Sequence, residues 1–310
     1  MSLVRVLLEP KSPIYAGPHG RARKSGALVH SDVLHAALVS VAAGAAADIG
    51  PLRTLRVSSI FPCWRDVHFY PRPFLALPAS TETGDPAKRK RWKSVRLVSE
   101  GALRLWLSGD VTLTDRVRII ESGVALLEDE LKGRAWPQDG MLCEDVSAAV
   151  TIDRVTNAAT PFERRHVRVN AAGGCGMYFL ADIDGSTQAI FRDLVDRLGV
   201  QGIGGERAVG FGHFAVLDVA GSHTLPSAKD GRSGSMFMSL SLYLPSRDEV
   251  ASGVLAGAAA YDTTVRGGWI HGAAGTAQRR RSVRMCVEGS VFPRVADKPG
   301  EVRDCAPLSF

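Results

Sequence analysis

The sequence predicts an α+β protein with two domains, and three observations lead to this prediction. The chain has 310 residues, which is long for one compact domain and suits two cores. Strand-like and helix-like segments are interleaved along both halves of the chain. The character of the sequence changes near residue 150, where polar, arginine-rich sequence begins. We therefore predict an N-terminal domain over residues 1–150 and a C-terminal domain over residues 151–310.

Short patterned segments predict the first elements in order. An apolar, β-branched run over residues 3–8 predicts the first strand. Residues 31–46 begin with serine and aspartate, which suit an N-cap, and continue with an apolar stripe that predicts a helix. Alternation over residues 55–61 predicts a second strand. The aromatic, proline-punctuated stretch 64–73 is typical of an edge strand or a loop crossing the sheet.

The next segments are less regular. Residues 80–93 form a polar insertion that ends in a basic run over residues 88–93, with Trp92 inside it. This run either contacts RNA by charge and stacking or is a solvated surface. The leucines of residues 95–107 fit neither the helical nor the strand period, so this stretch stays open between helix and strand.

The second half again mixes strands and helices. A strand over residues 176–183, an amphipathic helix over 188–198 and a strand over 214–219 are predicted in order, with a glycine-rich loop before the last of them. Further along, the pattern predicts strands at 236–244, 261–265, 283–287 and 290–295 and a helix at 248–256.

Charge and composition restrict the function classes. The net charge of +6 and the pI of about 9.2 favour a polyanionic partner such as nucleic acid. The five cysteines are scattered and form no CxxC pair, and HExxH and GxSxG motifs are absent, so we predict no metal, no cofactor and no hydrolase site. No run of about 18 apolar residues and no secretion signal are present, so we expect no membrane contact and a cytoplasmic location.

The glycine-rich segment 202–214, reading GIGGERAVGFGHF, is the most specific motif. A phosphate-binding P-loop is excluded because Phe211 stands where lysine is needed and the loop leads from helix to strand. A dinucleotide fingerprint fails because Arg207 replaces the third glycine. A pair of glycines is explained by a tight turn. Five glycines around an arginine instead favour a loop that an RNA sugar-phosphate backbone approaches closely.

Two further basic segments favour RNA. Residues 11–30 contain no acidic residue and form a basic, glycine-rich arm that leads to His30 and the helix start. Arginines cluster again after residue 150, and single-stranded RNA recognition uses such side chains for phosphates and for stacking. The candidate RNA-binding residues are Gly202, Gly204, Gly205, Arg207, Gly210, Gly212, His30, Ser31, Arg21, Arg23, Lys24, Arg154, Asn157, Phe162, Arg164 and Arg165.

The chain resembles the RAMP superfamily of CRISPR proteins, and within it most closely the fourth Csm subunit of type III-A complexes, a Cas-five-like group. The resemblance rests on the glycine-rich loop together with HSDVLHAAL, VSSIFPCW, IDRVTNAA, YDTTVRGGWI and RRRSVRMCVEGSVF, and it spans nearly the whole chain. It implies two ferredoxin-like (RRM-like) domains that hold the 5′ tag of a CRISPR RNA (crRNA). It also implies contacts with the large polymerase/cyclase-type Cas subunit and with the repeating backbone Csm subunit, and no catalytic residue.

Two alternatives stay open at this point. Related RAMP proteins that mature crRNA are endoribonucleases with a histidine general base, and His30 is the candidate here, although the sequence shows no positioned partner for it. The arginine-rich run at residues 279–284 suits either RNA or a protein neighbour.

Overall fold

The computed structural model describes residues 2–15, 26–78, 86–120, 123–221, 223–226, 236–271, 277–297 and 299–307. The first ten strands are β1 (Ser2–Pro10), β2 (Ile14–Tyr15), β3 (Arg56–Val57), β4 (Phe61–Trp64), β5 (Val67–Pro71), β6 (Leu97–Ser99), β7 (Val117–Ile120), β8 (Val124–Leu127), β9 (Leu142–Ile152) and β10 (Ala159–Val169). The remaining strands are β11 (Cys175–Ile183), β12 (Phe214–Ala220), β13 (Met236–Met238), β14 (Thr263–Arg266), β15 (Trp269–His271), β16 (Ala277–Arg279), β17 (Val283–Cys286) and β18 (Val291–Pro293). The α-helices are α1 (Ser31–Gly44), α2 (Pro86–Ser94), α3 (Glu100–Leu107), α4 (Leu113–Arg116), α5 (Glu128–Leu131), α6 (Gly185–Gln201) and α7 (Arg247–Ala251).

One large mixed sheet organises the fold, with strand order β12-β1-β11-β4-β5-β6-β8-β7 and β3 paired to β11. Four strands of this sheet are antiparallel neighbours in the order β12-β1-β11-β4. Together with two helices they give a β-α-β-β-α-β order along the chain, namely β1, α1, β4, β11, α6 and β12, with other elements inserted between β4 and β11. The α+β class is confirmed, whereas the two ferredoxin-like domains are not. The sheet takes strands from both sides of residue 150, and the division into two domains there stays a prediction.

Both faces of the sheet are covered by other parts of the chain. Alternate side chains of each strand point to opposite sides, so the strands contribute to one buried cluster on each face. Val4, Val6 and Leu8 of β1 pack with the apolar sides of α1 and α6. On the other face, Tyr178 of β11 and Trp106 of α3 belong to a second buried cluster. RNA-recognition modules stack bases on an open sheet face. In this structure the protein's own side chains fill both faces of the sheet.

The basic segment 88–93 lies in α2, within the part of the chain that the structure describes. Trp92 is 2% exposed, and its ring packs edge-on against Trp106 at 5.5 Å between ring centres. Of the two alternatives for this run, stacking of RNA on Trp92 is therefore wrong, because the indole is part of the core.

Two ambiguous stretches of the sequence are resolved. Residues 64–73 contain β5, whose five residues are all buried and which lies between β4 and β6 in the interior of the sheet, so the edge or loop interpretation is wrong. Residues 95–107 contain a strand followed by a helix, β6 and α3. Ser99 ends the strand and caps the helix, since its hydroxyl accepts a hydrogen bond from Ala102 N at 3.2 Å.

The C-terminal segment packs against the main sheet with a small core of its own. It contains three strand pairs, β13 with β18, β14 with β17 and β15 with β16, and a buried cluster of Tyr243, Val254, Cys286 and Phe292. Backbone hydrogen bonds join this body to the sheet, from Ser59 N to Leu240 O and from Phe74 N to Gly289 O, each 2.9 Å. The strand predicted at 236–244 is shorter than expected, because only its first residues pair with β18.

A neutral histidine is buried on the face that α3 covers. Arg5 Nη1 lies 3.3 Å from His68 Nδ1, and an arginine can only donate, so Nδ1 accepts and the ring proton sits on Nε2. Burial, reinforced by the positive charge of Arg5, lowers the pKa of His68 from 6.5 to about 4. The charge of Glu100 raises the pKa of His68, and that of His223 lowers it.

We expect acid to destabilise the fold between about pH 6.5 and pH 4 through His68. In this window the unfolded chain takes up a proton that the native His68 does not, so the free energy of unfolding falls as the pH falls, by about 3 kcal/mol in total. Urea unfolding at a series of pH values measures this loss. His68→Gln has no proton to take up, so its stability should depend less on pH in this window. An equal pH dependence in the variant and the parent would contradict the prediction.

Candidate nucleic-acid interface

The glycine-rich loop lies between the end of α6 and the start of β12, as the sequence predicts. Glu206 has a left-handed backbone with φ of 59°, and a short 3-10 turn over Arg207–Val209 follows it. The carbonyl of Glu206 accepts hydrogen bonds from Val209 N at 3.1 Å and from Phe211 N at 3.3 Å. Arg207 stands at the exposed outer end of this compact turn.

The protein itself explains why several of the loop positions are glycine. Positive φ angles occur at Gly202, Gly204, Gly210 and Gly212. A Cβ at Gly212 would overlap the backbone oxygen of Ile203, and a Cβ at Gly205 would lie 2.6 Å from the Tyr15 ring. The close approach expected of RNA is made at these two positions by neighbouring parts of the chain, while Gly204 and Gly210 face open space.

The loop packs against the base of a long hairpin formed by β9 and β10. The Arg164 guanidinium lies 5.8 Å from the centre of the Phe211 ring and 5.7 Å from that of Phe162. Arg164 Nε is 3.0 Å from a carboxylate oxygen of Glu206, at an angle that does not make a hydrogen bond. The His166 ring lies 5.3 Å from Phe211. We call this arrangement, residues 202–213 with Phe162, Arg164 and His166, the loop-hairpin surface.

The N-terminal chain completes this surface from the other side. Gly212 N donates to Pro13 O at 2.8 Å, and Lys11 N donates to His213 O at 2.8 Å. Strand β2 pairs with β10 next to these contacts, with Tyr15 opposite His166. The predicted basic arm thus begins beside the glycine-rich loop. Its residues Arg21, Arg23 and Lys24 lie outside the described residues.

The outer part of the hairpin is solvent-exposed. At its tip the Asp153 carboxylate accepts hydrogen bonds from Val155 N at 2.9 Å and Thr156 N at 2.7 Å. Asn157 has a left-handed φ of 54°, a backbone conformation that asparagine tolerates well, so its side chain has a local structural reason to be there. Arg154 is exposed at this tip.

The two adjacent arginines of β10 differ in their surroundings. Arg164 points to the glycine-rich loop, whereas Arg165 is its neighbour in the strand and points to the opposite face. There Arg165 Nη2 lies 3.2 Å from Glu163 Oε2, an exposed ion pair. Of the predicted hairpin residues, Arg164 and Phe162 are therefore brought to the loop and Arg165 is not.

His30 and Ser31 contact the C-terminal segment instead. His30 Nδ1 lies 2.7 Å from Glu288 Oε1, and the Ser59 hydroxyl donates to the same oxygen. Ser31 Oγ accepts a hydrogen bond from Leu242 N at 3.0 Å. Both side chains therefore have partners within the protein. The RNA contacts predicted for His30 and Ser31 stay predictions.

The predicted N-capping by Ser31 and Asp32 is wrong. His30 occupies the N-cap position of α1 and makes no side-chain capping hydrogen bond. The Asp32 carboxylate instead holds Arg266 through two hydrogen bonds of 2.9 and 3.0 Å, and accepts a third from Arg280 at 3.2 Å. Asp32 therefore joins the first turn of α1 to the C-terminal segment, a contact between residues more than 200 positions apart.

Sequence reasoning missed two residues of the interface, His166 and Glu206. The alternation of Phe162, Arg164 and His166 along one strand would have indicated a shared face, once the segment was recognised as a strand. No sequence signal points to the pairing of Glu206 with Arg164. Among the described residues, no group of three or more histidine, cysteine, aspartate or glutamate side chains is placed to hold a metal ion. No described helix has the length and apolar character that crossing a membrane requires.

Comparisons with known proteins bear on both the C-terminal segment and the fold. Residues 232–310 match the family model of the CRISPR Csm4 C-terminal domain. No curated protein matches the sequence. The structure is similar to a chain of the Csm3-Csm4 subcomplex in the type III-A CRISPR-Cas interference complex, with a TM-score of 0.67 and 15% identity over 98% of this chain and 96% of that chain.

Two crystal structures of a Csm1-Csm4 cassette are also similar. The cassette in complex with cA4 has a TM-score of 0.55, and that with pppApA a TM-score of 0.52. Each is 15% identical over 95% of this chain and 87% of the matched chain. At this identity the structures show a shared fold, and the family match concerns residues 232–310. The resemblance carried by the sequence motifs is thereby confirmed.

Proposed function

We propose that this chain, whose C-terminal domain and fold are those of a Csm4-type RAMP subunit, is a non-catalytic RNA-binding subunit of a type III-A Csm interference complex. In this proposal it caps the assembly and anchors the 5′ tag of the crRNA in antiviral defence. The observation that carries the RNA-binding part is the loop-hairpin surface, where exposed Arg207 lies in a glycine-rich turn whose Phe211 packs against Arg164 of the hairpin.

The chemistry of that surface suits a single-stranded RNA backbone. Arg207 and Arg154 are exposed, and within the described residues neither has a carboxylate partner, so both guanidinium groups are available to phosphates. Arg164 has a different role, because Glu206 and two aromatic rings hold it in place. It positions the turn that presents Arg207, and the exposed hairpin tip extends the surface to Arg154.

The partners in this proposal follow from the similar structures. These contain Csm4 with Csm3 in one case and with Csm1 in the other. We propose that this chain likewise contacts the repeating backbone Csm subunit and the large polymerase/cyclase-type subunit.

Reversing the charge of both free arginines tests the RNA site. We expect a complex assembled with Arg154→Glu/Arg207→Glu to retain crRNA at least about tenfold less tightly near physiological salt. Because two phosphate contacts are lost, the dependence of log K on log salt should fall by about 1.4. The fold should not change, since both side chains are exposed. Retention of labelled crRNA across a salt series measures both quantities.

A matched control is Arg53→Glu/Arg56→Glu, which makes the same change of charge. Both arginines are exposed, and Arg56 lies opposite Asp182 at the end of β11 that is remote from the glycine-rich loop. The control should retain crRNA like the parent. Equal retention and equal salt dependence in the test variant and the control would refute this site.

One observation favours the rival endoribonuclease function. His30 has a carboxylate partner, Glu288, which the sequence did not reveal. Glu288 accepts from His30 Nδ1, as the orienting carboxylate does beside a histidine general base. Metal-free incubation of the chain with a repeat RNA separates the two functions. The proposal expects intact RNA, and a cut that disappears in His30→Ala would refute its non-catalytic part.

A further inference from the structure

An exposed tryptophan and three exposed arginines lie close in sequence in the C-terminal segment. Trp269 is 63% exposed, in contrast to Trp64, Trp92 and Trp106, each at most 3% exposed. The guanidinium of Arg279 lies 5.8 Å from the centre of its ring. We call the group Trp269, Arg279, Arg281 and Arg284 the C-terminal arginine surface.

Strand register and one partly buried ion pair bear on the direction of these side chains. Trp269 lies directly opposite Arg279 in the β15-β16 pair, so both point to the same face. Arg280, between Arg279 and Arg281, points to Asp32. Its two neighbours make no contact with Asp32 among the described residues, and both are exposed.

The positive charge of this surface is not neutralised by the protein. In the regions that the structure describes, Arg279, Arg281 and Arg284 have no carboxylate partner. Arg281 Nη2 donates to the backbone oxygen of Asp304 at 2.8 Å, and Arg284 Nη1 lies 3.3 Å from Thr263 Oγ1. The nearby Asp304 carboxylate accepts from Ala306 N instead. The surface consequently offers guanidinium groups to an anionic partner.

We infer that the C-terminal arginine surface binds single-stranded RNA, with a base stacked on Trp269 and phosphates held by Arg279 and Arg281. An acidic protein would satisfy the arginines, whereas RNA satisfies the arginines and the exposed indole together, because each nucleotide combines a flat base with a phosphate. The inference rests on the proposed function as an RNA-binding subunit and adds a second contact in another part of the chain.

Tryptophan fluorescence offers a direct readout of this contact. The probe is a polyuridine RNA of about 15 nucleotides, within the range of site sizes of single-strand-binding surfaces. With the full-length chain, we expect RNA to quench the fluorescence of Trp269, since the indoles of Trp64, Trp92 and Trp106 are buried and that of Trp136 is partly buried against the rings of Trp64 and Phe69. The quenching should disappear in Trp269→Ala, and the affinity should fall about five- to a hundredfold.

Charge reversal tests the arginines separately. Arg279→Glu/Arg281→Glu should weaken binding of the same RNA at least about tenfold. The matched control Arg53→Glu/Arg56→Glu should bind like the parent, and Trp269→Phe should keep part of the affinity because a smaller ring remains. In the assembled complex, cross-linking of labelled guide RNA and of labelled target RNA to Trp269 distinguishes the two sources of the strand.

The outcomes separate this inference from the proposed function. If the Trp269 and Arg279/Arg281 variants bind RNA normally while Arg154→Glu/Arg207→Glu loses binding, the inference is wrong and the loop-hairpin site stands. If only the C-terminal variants lose binding, the inference stands and the loop-hairpin site is wrong. If the C-terminal variants bind RNA normally and no longer co-purify with the neighbouring subunits, the surface is a protein interface and the inference is overturned.

Discussion

Replacing His30 with alanine is expected to lower the free energy of unfolding by about 3–5 kcal/mol, because it leaves a buried carboxylate without the histidine that pairs with it. The Glu288 side chain is fully buried, and its Oε1 accepts from His30 and Ser59. Its other oxygen has no hydrogen-bond partner among the described residues. Without His30, a single serine hydroxyl would have to stabilise the charge.

The pKa of Glu288 leads to the same expectation. Burial pushes this pKa up, but the hydrogen bond and charge of His30 and the hydrogen bond of Ser59 outweigh burial and hold it below its ordinary value. The stability that Glu288 contributes is therefore present above the ordinary glutamate pKa of about 4.3 and is lost as the pH falls through the lower folded value. In His30→Ala this acid-dependent part should shrink.

Chemical denaturation at neutral pH measures the loss, and two further variants identify its cause. His30→Ala/Glu288→Gln should recover part of the stability, because no buried charge remains to be compensated. His35→Ala removes another histidine of α1, whose Nε2 lies 2.9 Å from the Leu52 carbonyl, and should cost only about 1 kcal/mol. If His30→Ala were no more costly than His35→Ala, the contact between His30 and Glu288 would not hold the C-terminal segment as we describe.

The second large effect is expected at Gly212, where alanine should cost about 3 kcal/mol or more and disrupt the glycine-rich loop. Its φ of 78° disfavours any residue with a Cβ. The added carbon would also overlap the Ile203 oxygen and lie 2.7 Å from the Ile203 nitrogen. Backbone atoms cannot rotate away as a side chain does, so the hydrogen bond from Ile203 N to Gly212 O would break.

Gly210→Ala provides a matched comparison in the same loop. Gly210 also has a positive φ, of 88°, but an added Cβ there meets no atom within 4 Å. In this variant the free energy of unfolding should fall only by the cost of a left-handed backbone at alanine, about 1–2 kcal/mol, and the protein should still bind RNA. Thermal unfolding and RNA binding of both variants separate the two contributions. Equal losses at Gly210 and Gly212 would show that the contact with Ile203 is unimportant.

Much of the local structure follows from the sequence, because periodicity and capping act over a few residues. The apolar stripe of α1, the strand β11 and the position of the glycine-rich loop after a helix and before a strand were all predictable. The leucine-rich stretch 95–107 was not, since a strand and a helix follow each other there without a loop and each is too short to establish its own period.

The candidate site was predictable only in part, because the sequence identifies chemical types and not their neighbours. It indicated the loop, Arg164 and Phe162, which the structure brings together. It grouped His30 with them as well, but the fold pairs His30 with Glu288 across 258 positions. It suggested Trp92 for stacking, whereas α3 buries that ring. The sequence alone determined many of the elements, the glycine-rich loop and the basic charge. The tertiary structure decided which side chains are buried and which arginines stay free, because burial and ion pairing depend on contacts between distant segments.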